Sequence, residues 1–299
     1  MSGKPDTSKG SYYFNPVTDC PGSESDRSQY PASYPCNIWP DENVLPGFHD
    51  AATNIGTLMH QVVVHLTKHI DHFASSKCRE YPKHLLYNLM AQTEKVKGRL
   101  LYYFPLEGRD VEDYGEDSWI GWHNDSGFLT ALAGDMYVND VTGEQIVNPD
   151  QRAGLYVMNR KGEIIQVHIP KDCMAVQLGE CVQILTGGSL VATPHCVRGA
   201  DPREVAAAST EGNGVNGEVV RVARISLPCF VDSMPTFSLS VPAGCTRDIV
   251  LRSGVENDKV PPLSKRWTDD GMTFGNFLQK SFELYYSWSA DDAQQADST

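Results

Sequence analysis

From Phe48 the chain settles into a long amphipathic pattern. Ala52, Ile55, Met59, Val62, Leu66, Ile70 and Phe73 recur every three or four residues, which is the period of one face of an α-helix. The run predicts a helix of about seven turns, opened at Pro46-Gly47 and closed near Ser75-Ser76-Lys77. Residues 84–97 read as a second, shorter helix. From Arg99 the character changes to strand: Leu100-Leu101-Tyr102-Tyr103-Phe104 is a compact run ended by Pro105. The acidic stretch 107–117 reads as a loop and 128–133 as an apolar strand. Residues 154–158 and 163–169 flank Asn159-Arg160-Lys161-Gly162, a hairpin signal. Three further strands are predicted at 175–178, 182–185 and 190–193, separated by Gly179-Glu180 and Gly187-Gly188. Residues 199–218 are polar, glycine-rich and loop-like. A long strand follows over 219–230, and 274–288 reads as helix.

Short strands with glycine-marked turns at close spacing predict a jelly roll or another closed β architecture. Helices before and after that run make the fold class mixed α/β with a mainly β core and the helices packed outside. The organisation expected is an irregular arm over 1–46, a helical region over 47–98, the β domain with its closing helix over 99–288, and a polar tail over 289–299. The arm has Tyr12, Tyr13, Phe14, Trp39 and Leu45 to bury, so it is expected to pack on the domain.

Composition narrows the partners. Against 25 basic residues stand 38 acidic ones, a formal net charge of −13, and such a surface repels phosphate backbones. No apolar run approaches a membrane span, and the first residues carry no secretory signal pattern. Eight cysteines are present without a Cys-x-x-Cys pair. Reduced, mostly buried thiols in a cytoplasmic protein are the expectation. A monomer acting on a small molecule, with neither nucleic acid nor membrane as partner, completes it.

Candidate chemistry centres on Trp122-His123-Asn124-Asp125. In an extended segment alternate side chains share a side, so His123 and Asp125 can reach one ion. His195, 70 residues after Asp125, offers a third ligand. Two imidazoles and a carboxylate with open positions opposite are the arrangement of non-haem Fe(II) oxygenases. His-x-Asp also arises by chance, so the pattern alone leaves a metal site and unrelated histidines both standing. His65, His69 and His72 share a face of the long helix, but no acidic or cysteine partner completes a site there, and a solvated polar face is the reading. In the last long strand Arg224 and Ser226 share a face. An arginine fork on a β core suits a carboxylate, with the serine hydroxyl as a further donor. A surface ion pair is the other reading.

Taken in order, these residues resemble the 2-oxoglutarate/Fe(II)-dependent dioxygenase superfamily, in its isopenicillin N synthase-like branch. The resemblance rests on His123-x-Asp125…His195, on Asp125-Ser126-Gly127-Phe128-Leu129-Thr130, and on Gly154-Leu155-Tyr156-Val157. It also rests on Gly179-Glu180-Cys181-Val182-Gln183-Ile184, Arg224-Ile225-Ser226 and the closing segment from Thr273 to Tyr286. It implies a double-stranded β-helix in which His123, Asp125 and His195 hold Fe(II). Arg224 and Ser226 would meet the far carboxylate of 2-oxoglutarate, and O2 would complete the reaction. Oxidative decarboxylation to succinate and CO2 would accompany hydroxylation, desaturation or ring closure of a small organic substrate. Tyr103 matches a tyrosine that supports 2-oxoglutarate in plant-type members, and a core tyrosine is the other reading of it.

Three departures stand out. Leu101 replaces an amide that touches the cosubstrate in many relatives. His195 and Arg224 are separated by 28 residues, a longer interval than is usual. The stretch before the long helix is short. Two alternatives therefore stay open: a same-fold Fe(II) oxidase that does not use 2-oxoglutarate, and a non-catalytic descendant that binds a ligand in the inherited barrel.

Overall fold

The computed structural model describes residues 8–106, 119–208 and 221–287, and it begins with a strand where the pattern predicts an irregular arm. β1 (Lys9–Phe14) pairs antiparallel with β2 (Val96–Tyr103), and α1 (Glu24–Gln29) lies between them in the chain. The Phe14 ring lies over Gly98, where an added Cβ would meet it at 2.5 Å, so only glycine lets the strand pack that closely. Cys20 and Cys36 of the arm form a disulfide. This corrects the expectation of reduced thiols throughout, because a 16-residue separation carries no motif that marks a pair. The other six cysteines form no disulfide.

The long helix α2 (Phe48–Lys77) forms as its period requires and buries Ala52, Met59, Val63, Ile70 and Ala74 on one face. α3 (Leu85–Gln92) follows and is shorter than the pattern suggests, because the chain is already extended at Val96. Asp71 of α2 is the joint between the two helices. Its buried carboxylate accepts from Tyr81 Oη (2.6 Å) and from the N–H groups of Leu86 (3.0 Å) and Tyr87 (2.9 Å), which open α3.

The β core then builds up as β3 (Ile120–His123), β4 (Leu129–Leu132), β5 (Met136–Asn139), β6 (Gln145–Ile146), β7 (Gly154–Met158), β8 (Ile164–Val167) and β9 (Ala175–Leu178). After β9 come α4 (Glu180–Leu185), β10 (His195–Arg198), α5 (Pro202–Ala208), β11 (Val222–Ser226) and β12 (Pro228–Val231). The chain closes with β13 (Ser238–Leu239), α6 (Arg247–Ser253), α7 (Leu263–Arg266), β14 (Met272–Thr273) and α8 (Phe274–Ser287). The large sheet runs β6-β5-β11-β2-β12-β4-β9, with β1 also on β2, and the smaller one runs β3-β10-β7-β8. All pairings are antiparallel.

Alternation divides the large sheet into two faces. Leu129, Ala131, Cys229 and Val231 pack with Met59, Val63 and Met90 of α2 and α3. Thr130, Leu132, Pro228 and Phe230, their neighbours in the chain, line a cavity on the opposite face.

Some expected strands are different. Residues 182–185 belong to α4, and every residue of α4 is buried; an apolar run buried on all sides has no period to separate helix from strand. Residues 190–193 form no strand: Ala192 N–H donates to the Gln183 side-chain oxygen (3.0 Å) rather than to a neighbouring strand. The long strand over 219–230 is divided at Leu227, with β11 pairing with β5 and β12 with β4. The loop expected over 199–218 contains α5, and residues 209–218 lie outside the described residues, as do the acidic loop 107–117 and the tail 289–299. Among the described residues no helix is long and apolar enough to cross a membrane.

Replacing Asp71 by alanine leaves three donors without their acceptor. Loss of about 3 kcal/mol in urea unfolding is expected, with Asp71→Asn losing less. A loss under about 0.5 kcal/mol would show that the α2–α3 joint does not depend on this carboxylate.

Candidate active site

His123 ends β3 and His195 begins β10, and the two residues stand directly opposite each other in the small sheet. Opposite residues of an antiparallel pair share a face, so the imidazoles meet, with ring centroids 4.0 Å apart. Asp125 follows β3, and its Oδ1 lies 3.9 Å from the Nε2 of each histidine. Ligand atoms of the three side chains all fall within 4.8 Å of one another. Thr130 Oγ1 donates to Asp125 Oδ2 (2.7 Å) and leaves Oδ1 toward the rings.

Each histidine is fixed through its other nitrogen. His123 Nδ1 lies 2.8 Å from Gly121 O, and His195 Nδ1 lies 3.1 Å from Thr193 O, with the Gln177 amide against the same atom. Donation from Nδ1 to a carbonyl leaves the Nε2 lone pair free for a metal. Burial, then the neighbouring His123, pulls the His195 pKa down to about 4, against the opposing pull of Asp125. Its imidazole is therefore neutral near pH 7. The donor set fits a divalent cation of the iron class. His65, His69 and His72 join no such group among the described residues.

The same cavity is lined by Arg224 and Ser226 of β11 and by Tyr103 of β2. Register places Arg224 opposite Tyr103 on one side and Tyr137 on the other. The guanidinium lies over the Tyr103 ring, 4.8 Å from its centroid, and Nη2 donates to Asp135 Oδ1 (2.6 Å). Burial opposes the charge, yet Asp135, Tyr103 and Tyr137 leave the Arg224 pKa above the ordinary arginine value. Its Nε and Nη1 are buried without a hydrogen-bond partner. Two orphaned charged donors facing a cavity fit an incoming carboxylate.

No family model matches the chain. A 2-oxoglutarate-dependent dioxygenase of Gibberella zeae is 24% identical over 159 residues, a match covering 53% of this chain and 36% of that protein. The matched region thus spans about a third of the curated relative. Among solved structures, a protein of Caulobacter crescentus assigned to the 2OG-Fe(II) oxygenase family superposes with a TM-score of 0.58 at 18% identity, covering 95% of this chain and 72% of that one. Neurospora crassa T7H in complex with α-KG and 5-formyluracil gives a TM-score of 0.56 at 17% identity, covering 93% and 70%. The fold is that of the 2-oxoglutarate/Fe(II) oxygenases. The two sheets are accordingly the curled walls of a double-stranded β-helix, with the His-Asp-His group and Arg224 inside it.

Within this oxygenase fold a buried ion pair holds the loop that carries Asp125. Glu180, the first residue of α4, meets both terminal nitrogens of Arg266, whose Nη2 also donates to Pro261 O (2.9 Å). Asn124 Nδ2 donates to Glu180 Oε1 (3.0 Å), and Glu180 N–H donates to Asp125 O (2.8 Å). Tyr285 of α8 accepts from Asn124 N–H (2.9 Å), and burial raises its pKa. Gly179 lies against the Gly127 carbonyl, where a side chain would strike backbone.

The structure brings together all six residues singled out in the sequence: His123, Asp125, His195, Arg224, Ser226 and Tyr103 line one cavity. Asp135, Tyr137, Gln177 and Arg266 carry no motif that marks them. Asp135 and Tyr137 alternate along an extended segment, and period alone could pair them with Arg224. Nothing in the sequence joins Arg266 to Glu180, which are 86 residues apart.

His195→Ala is expected to abolish divalent-metal binding while leaving the unfolding midpoint near that of the parent. Glu180→Ala should cost about 3–5 kcal/mol of stability and weaken metal binding about 10–100-fold, measured by metal titration of folded protein. Metal affinity unchanged in both variants would remove this cluster as the metal centre.

Proposed function

We propose that the chain is an Fe(II)- and 2-oxoglutarate-dependent dioxygenase that oxidises a small organic substrate with release of succinate and CO2. The observation that carries the reading is the pairing, in one cavity, of the convergent His123, Asp125 and His195 with the unpartnered Nε and Nη1 of Arg224. In this reading the three ligands hold iron on one side and leave the cavity side open. Arg224 binds the far carboxylate of 2-oxoglutarate, Ser226 adds a hydroxyl donor, and Tyr103 supports both from beneath the guanidinium. Iron and 2-oxoglutarate, once bound, supply the oxidising equivalents from O2. Thr130 keeps Asp125 oriented, while the Thr193 and Gly121 carbonyls keep the imidazoles in the ligating tautomer. The apolar walls Leu132, Pro228 and Phe230 exclude water from the substrate side.

The order of motifs supports the isopenicillin N synthase-like branch, with 99–288 as the oxygenase domain behind the 1–46 arm and the 47–98 helical region. A monomeric cytoplasmic enzyme without nucleic-acid or membrane partners accompanies this reading. The net charge and the six cysteines that form no disulfide support it, and the Cys20–Cys36 bridge weighs against the compartment. A second reading, a same-fold oxidase that does not use 2-oxoglutarate, is favoured by one observation. Asp135 already occupies Nη2 of Arg224, and Leu101 offers no amide beside it.

Anaerobic titration with Fe(II) and then 2-oxoglutarate separates the two. A weak visible charge-transfer band is expected when both are present, and Arg224→Ala should raise the 2-oxoglutarate requirement about 100-fold or more while sparing metal affinity. Iron binding without the band points to the oxidase. No iron binding by folded protein would overturn both.

A further inference from the structure

Arg224 is not the cavity's only cation. Arg99 of β2 lines it as well, and Lys97, two residues earlier on the same strand, shares its face. Among the described residues neither forms an ion pair. Arg99 Nε and Nη2 donate to the neutral Ser11 hydroxyl (3.1 and 3.0 Å), and Lys97 Nζ lies 5.8 Å from the centroid of the Tyr13 ring. The buried cations are committed: Lys95 pairs with Asp232 (3.6 Å), Arg224 with Asp135 and Arg266 with Glu180, whereas Lys97 and Arg99 are half-buried. Two adjacent, half-buried cations, one of them lining the cavity, with no carboxylate between them form a place that suits an anion. Burial, then Lys95 and, less, Arg99 alongside, lowers the Lys97 pKa against the opposing pull of Asp232.

Register places this pair relative to the candidate metal centre. Lys97 stands opposite Phe230, Phe230 opposite Thr130, and Thr130 opposite Gln177. Thr130 bonds Asp125, and Gln177 abuts His195. One row across the sheet therefore leads from the cations, over the Phe230 ring, to the metal ligands. Two strand spacings, about 10 Å, separate the strand of Lys97 from that of Thr130. Phe230, Leu132 and Pro228 line the way.

We infer that Lys97 and Arg99 are specificity-determining residues that take the anionic head group of an apolar substrate, whose body lies over Phe230 and points at His123, Asp125 and His195. The inference deepens the oxygenase reading and rests on it for the word substrate. The head group is a carboxylate or a phosphate monoester, and the body is on the scale of one ring or a short alkyl chain.

The test is equilibrium dialysis of the full chain, held anaerobic with Fe(II) and 2-oxoglutarate, against matched probes. These are phenylacetate, benzyl phosphate and phenylacetamide, and hexanoate, hexyl phosphate and hexanamide. Anions of at least one series should be retained about tenfold more strongly than the amide, and the better-held anion identifies the head group. The double variant Lys97→Gln/Arg99→Gln should lose that preference while its melting temperature and its retention of 2-oxoglutarate stay near those of the parent. Equal retention of anion and amide, no retention of any anion, or a preference that survives in the double variant would overturn the inference. Retention of 2-oxoglutarate by the parent protein is followed in the same cells. Its absence would defeat the oxygenase reading and leave the anion preference to be judged separately.

Discussion

The Glu180–Arg266 pair is the constraint on which the site depends. Both side chains are buried, at 1% and 0% exposure, and a charge in such a position costs several kcal/mol unless it is fully paired. Glu180 takes both terminal nitrogens of Arg266, and Arg266 Nε is left without a partner. α7 must bring Arg266 to the start of α4, and α8 must bring Tyr285 to the loop between β3 and β4. The same Glu180 then holds Asn124 through its side chain and Asp125 through its backbone N–H. The Asp125 backbone is therefore tied to a residue whose side chain is fixed by a buried ion pair. Closing helices far along the chain thus decide where a ligand near its middle sits.

The large sheet divides the remaining work by alternation. One face is apolar and packs under α2 and α3. The other carries the polar and charged residues of the cavity, and burial there makes each charge specific. Arg224 is held by the Tyr103 ring and the Asp135 carboxylate, with two donors left over. Lys97 and Arg99 lie further along the same face of β2. Arg224 and Arg99 therefore bring positive charge to the cavity of a strongly acidic chain, where it acts on what enters.

Elements with a clear period are legible in the sequence. α2, α8 and the β7–β8 hairpin are found where the pattern puts them. Elements without a period are not. α4 is buried on every side, so its apolar run imitates a strand. β1 escapes the pattern because its residues lie in a segment rich in proline and serine, and its pairing with β2 is a tertiary fact. The 20–36 disulfide is hidden for a similar reason, since two cysteines without a motif do not announce a partner.

The sequence by itself determined the inventory of the site. His-x-Asp, a later histidine and Arg-x-Ser are local patterns whose chemistry follows from residue type and alternation. With Tyr103, marked by resemblance, they account for all six side chains of the candidate centre. What it could not determine is which groups complete or occupy one another. Asp135 on Arg224, Gln177 on His195 and Arg266 on Glu180 join residues 89, 18 and 86 positions apart. Such contacts are set by strand register and helix packing, where a shift of one residue turns a side chain to the opposite face. Local pattern can list the groups; only the closed barrel decides which charges find partners and which are left open to a ligand.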